Sequence, residues 1–142
     1  MRRQPPCGYR VAMLARKADR LQALAQSHGV RTYGCDAADA ASVAALFDQV
    51  TRELGAPRLV VHNIDGRVPG IFRKGITEAD PAFALDTLRN AAFSAFLVGQ
   101  QAARAMLANP PDANGARGTF VITNASAALK GFPASGAFAM AC

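Results

Sequence analysis

The sequence predicts an α/β fold built on parallel strands, and three observations carry that expectation. Short apolar runs of strand length, at residues 9–15, 30–34 and 58–62, alternate with segments whose apolar residues recur at helical spacing. The connections between them are only a few residues long, and strand–helix–strand alternation of that kind signals βαβ units. The composition, 51% hydrophobic and 18% charged over 142 residues, suits one globular domain that buries a core.

Taken in order, residues 9–15 (YRVAMLA) form the first apolar run, and Arg16-Lys17 follow it. Leu21, Leu24, Ala25 and His28 then fall at i, i+3, i+4 and i+7, with Gly29 where a helix C-cap belongs. Residues 30–34 read as a second strand ending in Cys35-Asp36. Asp39 is placed to cap the next helix, in which Val43, Phe47, Val50 and Leu54 share a face until Gly55-Ala56-Pro57 ends it. Residues 58–62 (RLVVH) are a third buried-strand candidate.

Residues 63–75 are loop-like, with Gly66, Pro69, Gly70 and Gly75. Thr77 with Asp80, and Pro81 just inside, opens a long helix expected over 77–107. Asn109-Pro110-Pro111 closes it, 111–115 is a turn-rich loop, and 118–123 (GTFVIT) is the fourth strand. The rest is small-residue loop, with a helix beginning near Ala137.

Several function classes are disfavoured by composition. The formal charge is +6, but Lys and Arg are spread in runs no longer than two without interleaved aromatics, which reads as solvated surface and not as a nucleic-acid footprint. The longest apolar stretch, 91–107, is interrupted by Ser94, Gln100, Gln101 and Arg104, so no membrane span is expected. Three cysteines, Cys7, Cys35 and Cys142, are an odd count without CxxC spacing, against a disulfide framework and against a metal site. The basic start lacks the apolar core of a signal peptide, so the cytoplasm is the expected location.

Five short motifs narrow the reading. They are 11–24 (VAMLARKADRLQAL), Cys35-Asp36, the strand end His62-Asn63, Arg89-Asn90-Ala91 in the long helix, and 119–123 ahead of Ser126. In this order and spacing the chain resembles the short-chain dehydrogenases/reductases from Gly8 onward. The resemblance implies a Rossmann-like, three-layer parallel sheet with a nicotinamide cofactor across the carboxyl ends of its strands. It also implies a carbonyl or alcohol as small-molecule substrate.

The same resemblance assigns residues. Arg16 and Lys17 follow the strand that reads the adenosine ribose, and Ala15 stands where an acid would bond the 2′-hydroxyl. Two cations there suit a 2′-phosphate and favour NADP(H) over NAD(H), although a solvated pair at a helix start has the same pattern. Asp36, with Ala37 beside it, matches the adenine contact, and Asn63 with Ile64 matches the start of the Asn-Ala-Gly motif beside the cofactor. Asp65 replaces the motif's glycine.

Of the family's catalytic set, Asn90 matches the relay Asn and Ser126 the Ser that orients the carbonyl. Phe138 and Cys142 occupy the Tyr and Lys positions of Tyr-x-x-x-Lys. Phenylalanine has no proton to give and cysteine cannot hold the ribose as lysine does, so little or no turnover is expected.

The family's first strand and Gly-rich turn would precede Gly8, and further strands would follow Cys142. The sheet is therefore expected to be incomplete, in two halves with open apolar edges. Three readings stay open: an incomplete oxidoreductase, a shortened gene model, and a non-catalytic module docking through helix 77–107 onto a full-length relative. The same helix could join copies of the chain.

Overall fold

A computed structural model describes residues 8–71 and 73–142; the segment 1–7, including Cys7 and the expected absence of a strand there, lies outside the described residues. Strand β1 (Ala12–Ala15) leads through a 3-10 turn (Ala18–Leu21) into helix α1 (Gln22–His28). Strand β2 (Arg31–Gly34), helix α2 (Ala40–Leu54) and strand β3 (Leu59–His62) follow. Beyond the loop come helix α3 (Pro81–Leu88), a π-turn (Arg89–Phe93), helix α4 (Ser94–Leu107), strand β4 (Thr119–Ile122) and helix α5 (Gly136–Ala139). Among the described residues no helix is long and apolar enough to cross a membrane.

The strands form two parallel two-stranded sheets. β1 pairs with β2 from Ala12↔Arg31 to Ala15↔Gly34, and β3 pairs with β4 from Leu59↔Thr119 to His62↔Ile122. The expected division of the sheet into halves is what the structure has. Of the first apolar run, residues 12–15 form β1 and pair with β2, and the Arg31 N–H donates to the Val11 carbonyl.

Local chemistry explains most of the boundaries. Gly29 ends α1 in the left-handed region at φ 67°, as its position predicted. Asp39 caps α2 by accepting the Ser42 amide at 2.7 Å. The long helix is shorter than expected and is interrupted. Thr77 lies in a separate turn, in which the Glu78 and Ala79 amides donate to the Gly75 carbonyl and the Glu78 carboxylate accepts the Gly75 amide. Asp80 alone makes the cap, taking the Ala82 amide at 2.8 Å, and Pro81 with its fixed φ starts the helix.

Helix α4 packs on β3–β4 and against α2. The approach is close because Gly99 faces the Phe120 ring: a Cβ there would sit 2.8 Å from it. Val43, Leu46, Ala95, Leu97, Ala102 and Met106 are the buried apolar residues of this contact region. β2 is tied to α2 through Glu53, which accepts the Tyr33 hydroxyl at 2.9 Å and the Arg31 guanidinium. Asn109 is buried and donates to the carbonyls of Pro57 (2.9 Å) and Arg117 (3.0 Å), joining the end of α4 to the entries of β3 and β4.

The sequence marks residues 58–62 as a buried strand, and the structure corrects this, since only one face of β3 is covered. Val60 and His62 turn inward while Leu59 and Val61 are exposed, at 54% and 53%. With Cβ directions alternating along a strand, α4 covers one face only.

Candidate functional site

A cleft of about 810 Å³ opens at the carboxyl ends of β3 and β4, a volume within the range of small-molecule and cofactor sites. Its walls are the end of β3 with the loop after it (His62 to Arg67), the loop after β4 (Thr123 to Ala125), the start of α4 with the π-turn, and Phe138, Ala141 and Cys142 of the last turn.

Each wall is held by identifiable bonds. The Thr123 hydroxyl donates to Asn63 Oδ1 at 2.7 Å, so the two strand-end loops are linked across the sheet. Asn124 Nδ2 donates to the Cys142 carbonyl at 2.6 Å, which ties the last turn to β4. Gly66 is buried against the π-turn, where a Cβ would lie 2.5 Å from Ala91 Cβ and 2.7 Å from Ala91 N. No residue but glycine fits there without moving backbone.

Asp65 grips Arg67 with both oxygens, at 2.8 Å to Nε and 2.7 Å to Nη2, and this guanidinium holds the Asp65 carboxyl below its ordinary range. The Arg67 guanidinium stands 5.0 Å over the Phe138 ring. Behind this rim, His62 and Ser94 are both buried, and His62 Nε2 is 2.9 Å from Ser94 Oγ. Burial pushes the His62 imidazole pKa down, with a smaller opposing pull from its own backbone.

The residues singled out in the sequence fall in different places. Asn63, Ile64, Phe138 and Cys142 line the cleft. Asn90 sits in the π-turn, where its carbonyl accepts the Ser94 hydroxyl at 2.6 Å; it is its neighbours Ala91 and Ala92 that line the cleft. Ser126 is exposed at the start of a 3-10 turn (Ser126–Ala128), outside the lining, and its carbonyl accepts the Leu129 and Lys130 amides.

Arg16 and Lys17 are exposed after β1, and Asp36 and Ala37 follow β2; none of the four lines this cleft. Asp36 Oδ1 accepts the Ala38 amide at 2.9 Å, a turn-forming use of the side chain. The two groups thus occupy the carboxyl ends of two separate parallel strand pairs. Among the described residues no three His, Cys, Asp or Glu side chains gather as a metal centre.

Sequence reasoning did not single out Gly66, Arg67 or the pair His62 and Ser94. A polar residue at the inward end of an apolar strand was the available signal for His62. Nothing local marked Ser94 as its partner, since they are 32 positions apart.

A family model described as Enoyl-(Acyl carrier protein) reductase matches residues 6–141. Among solved structures, a short-chain dehydrogenase/reductase from Serratia marcescens is 26% identical at a TM-score of 0.77, covering 94% of this chain and 53% of that chain. An enoyl-(acyl-carrier-protein) reductase from Anaplasma phagocytophilum in complex with NAD is 22% identical at a TM-score of 0.80, covering 94% and 50%. A short-chain dehydrogenase from Streptomyces avermitilis, 17% identical at a TM-score of 0.80, covers 95% and 47%. At their lower identities the last two show the fold alone. The chain spans about half the length of these solved structures. No curated protein matches it.

Proposed function

Since the chain belongs to the short-chain dehydrogenase/reductase family, we propose that it forms part of the nicotinamide-nucleotide site of an oxidoreductase for a small carbonyl or alcohol, and that by itself it turns over little or no substrate. The cofactor, when bound, supplies or accepts the hydride. Asn63 and Ile64 are the chain's own groups beside the cofactor. Arg16 and Lys17 suit a 2′-phosphate, which favours NADP(H), and Asp36 with Ala37 suits the adenine.

The observation that carries the inactivity is Phe138. Phe138 lines the cleft with a guanidinium over its ring, and by the family resemblance it stands where the proton donor would. Arginine keeps its proton throughout the working range, so Arg67 orients or neutralises charge but does not act as the acid. Tyr33 is committed to Glu53 on another element.

The test is titration of nicotinamide fluorescence with NADPH and NADH, alongside a carbonyl-reductase screen of the chain and of Phe138→Tyr/Cys142→Lys. The expected result is tighter binding of NADPH, no turnover by the unaltered chain, and measurable turnover by the double variant. Turnover by the unaltered chain overturns the inactivity, and equal affinity for both nucleotides overturns the NADP preference.

A second reading, docking onto a full-length relative, is favoured by the apolar face of α3 and the π-turn, where Leu85 is 67% and Phe93 46% exposed. Size-exclusion chromatography with and without such a relative separates it from the first, since co-elution is required for docking.

A further inference from the structure

The other contacts of Ser94 bear on the direction of its buried bond with His62. Ser94 Oγ lies 2.6 Å from the Asn90 carbonyl and 3.0 Å from that of Ala91, and a hydroxyl has one proton. Carbonyls only accept, so that proton is committed to them. With that proton engaged, we infer that Ser94 accepts from His62, with the hydrogen on Nε2 at 2.9 Å and none on Nδ1 of the neutral ring. A three-member chain results, running from His62 Nε2–H to Ser94 Oγ–H to the Asn90 carbonyl.

This chain joins two walls of the cleft. His62 is the last residue of β3, immediately before Asn63 and Ile64, and its own carbonyl accepts the Thr123 amide at 3.0 Å. Ser94 opens α4 directly after the π-turn. A serine hydroxyl that bonds back one turn bends a helix locally and competes with the regular ladder. Single π-turns inside α-helices are rare and are frequent at functional sites. The same turn carries Ala91, against which Gly66 packs without room for a Cβ. Loop 63–66 is thus clamped on the π-turn from both ends, at His62 and at Gly66.

We infer that His62 and Ser94 are a positioning pair: their bond sets the π-turn at 89–93 and, through it, the placement of Asn63, Ile64 and Gly66 at the cleft. Neither residue reaches the reacting atoms in this role. The functional consequence rests on the proposed nucleotide site, whereas the geometric one does not.

The experiment uses the whole chain and His62→Gln, His62→Phe and Ser94→Ala. Glutamine carries an N–H donor where Nε2 stands, phenylalanine keeps volume without the donor, and Ser94→Ala keeps the fold's packing while removing the hydroxyl and its contacts with His62, Asn90 and Ala91. Nitrogen-15 NMR of the imidazole reads the tautomer, and amide shifts read the backbone. The expected results are an Nε2–H ring in the unaltered chain and amide shifts confined to 62–66 and 89–95 in His62→Phe and Ser94→Ala. NADPH affinity should fall about tenfold in those two, the scale of one buried hydrogen bond, and stay within about twofold in His62→Gln.

An Nδ1–H ring, amide shifts spread evenly over α1 and α2, or unchanged affinity in both disruptive variants overturns the inference. If the unaltered chain binds neither nucleotide, the proposed function fails, and the tautomer and amide shifts still decide the pair.

Discussion

Replacing Gly66 with alanine tests the packing that shapes the cleft. The added Cβ would sit 2.5 Å from Ala91 Cβ, 2.7 Å from Ala91 N and 2.9 Å from Ala91 Cα. Ordinary contacts between carbons lie near ~3.5–4.0 Å, so the overlap is about 1 Å or more. Two of the three opposing atoms are backbone, which no rotamer change can move. Loop 63–66 or the π-turn must shift, and overpacking of this kind costs roughly 1–3 kcal/mol.

Against that stands the smaller entropy of an unfolded chain carrying alanine, a gain of about 0.4–1 kcal/mol. The net expectation is destabilisation by about 1–2 kcal/mol in urea unfolding monitored by circular dichroism. Gly136→Ala is the matched control. It lies at the start of α5, a Cβ there meets nothing within 4 Å, and its φ is not positive. Here only the entropy and helix-propensity terms act, so stabilisation by about 0.4–1 kcal/mol is expected. The reasoning is refuted if Gly66→Ala is as stable as the unaltered chain, or if both substitutions shift the midpoint in the same direction.

Two further outcomes follow from single side chains. Burial lowers the His62 pKa, so the folded chain keeps this ring neutral where the unfolded chain protonates. Its contribution is fully present above the ordinary imidazole value of 6.5 and is lost as pH falls below it. The stability difference between the unaltered chain and His62→Gln, followed by urea unfolding from pH 7.5 downward, should therefore move against the unaltered chain below about pH 6.5; a flat difference contradicts it. Asn109→Ala removes the buried amide that donates to the Pro57 and Arg117 carbonyls and should cost about 1–3 kcal/mol by the same unfolding assay; a cost below about 0.5 kcal/mol would show that water replaces the amide.

Particular elements show why some features were legible in the sequence. Gly29, Asp39 and Pro81 act within one helical turn of where they stand, through φ, through a single accepted amide and through a missing N–H. Such effects need no distant partner, and these three positions behave as the pattern implies. The same locality misled at Thr77, where an adjacent Glu78 carboxylate closes a turn of its own and leaves the cap to Asp80.

The cleft was only half legible. Asn63, Ile64, Phe138 and Cys142 were marked by motif order and do line it, but the contacts that shape it join positions far apart in sequence. Gly66 meets Ala91, Arg67 meets Phe138, and Asn124 meets Cys142. Periodicity gives the identity of each element and says nothing of which side chain on another element it will meet.

By itself, then, the sequence determined the alternation of strand and helix, the caps that bound most elements and the family, because these depend on spacing and on residue chemistry along the chain. The tertiary structure alone decided which face of β3 is covered, that the long helix breaks at 89–93, and that a buried His62–Ser94 bond sits at that break. Those outcomes depend on how α4 lies across β3 and β4, and a hydrogen bond 32 residues long in sequence exists only once that packing has formed.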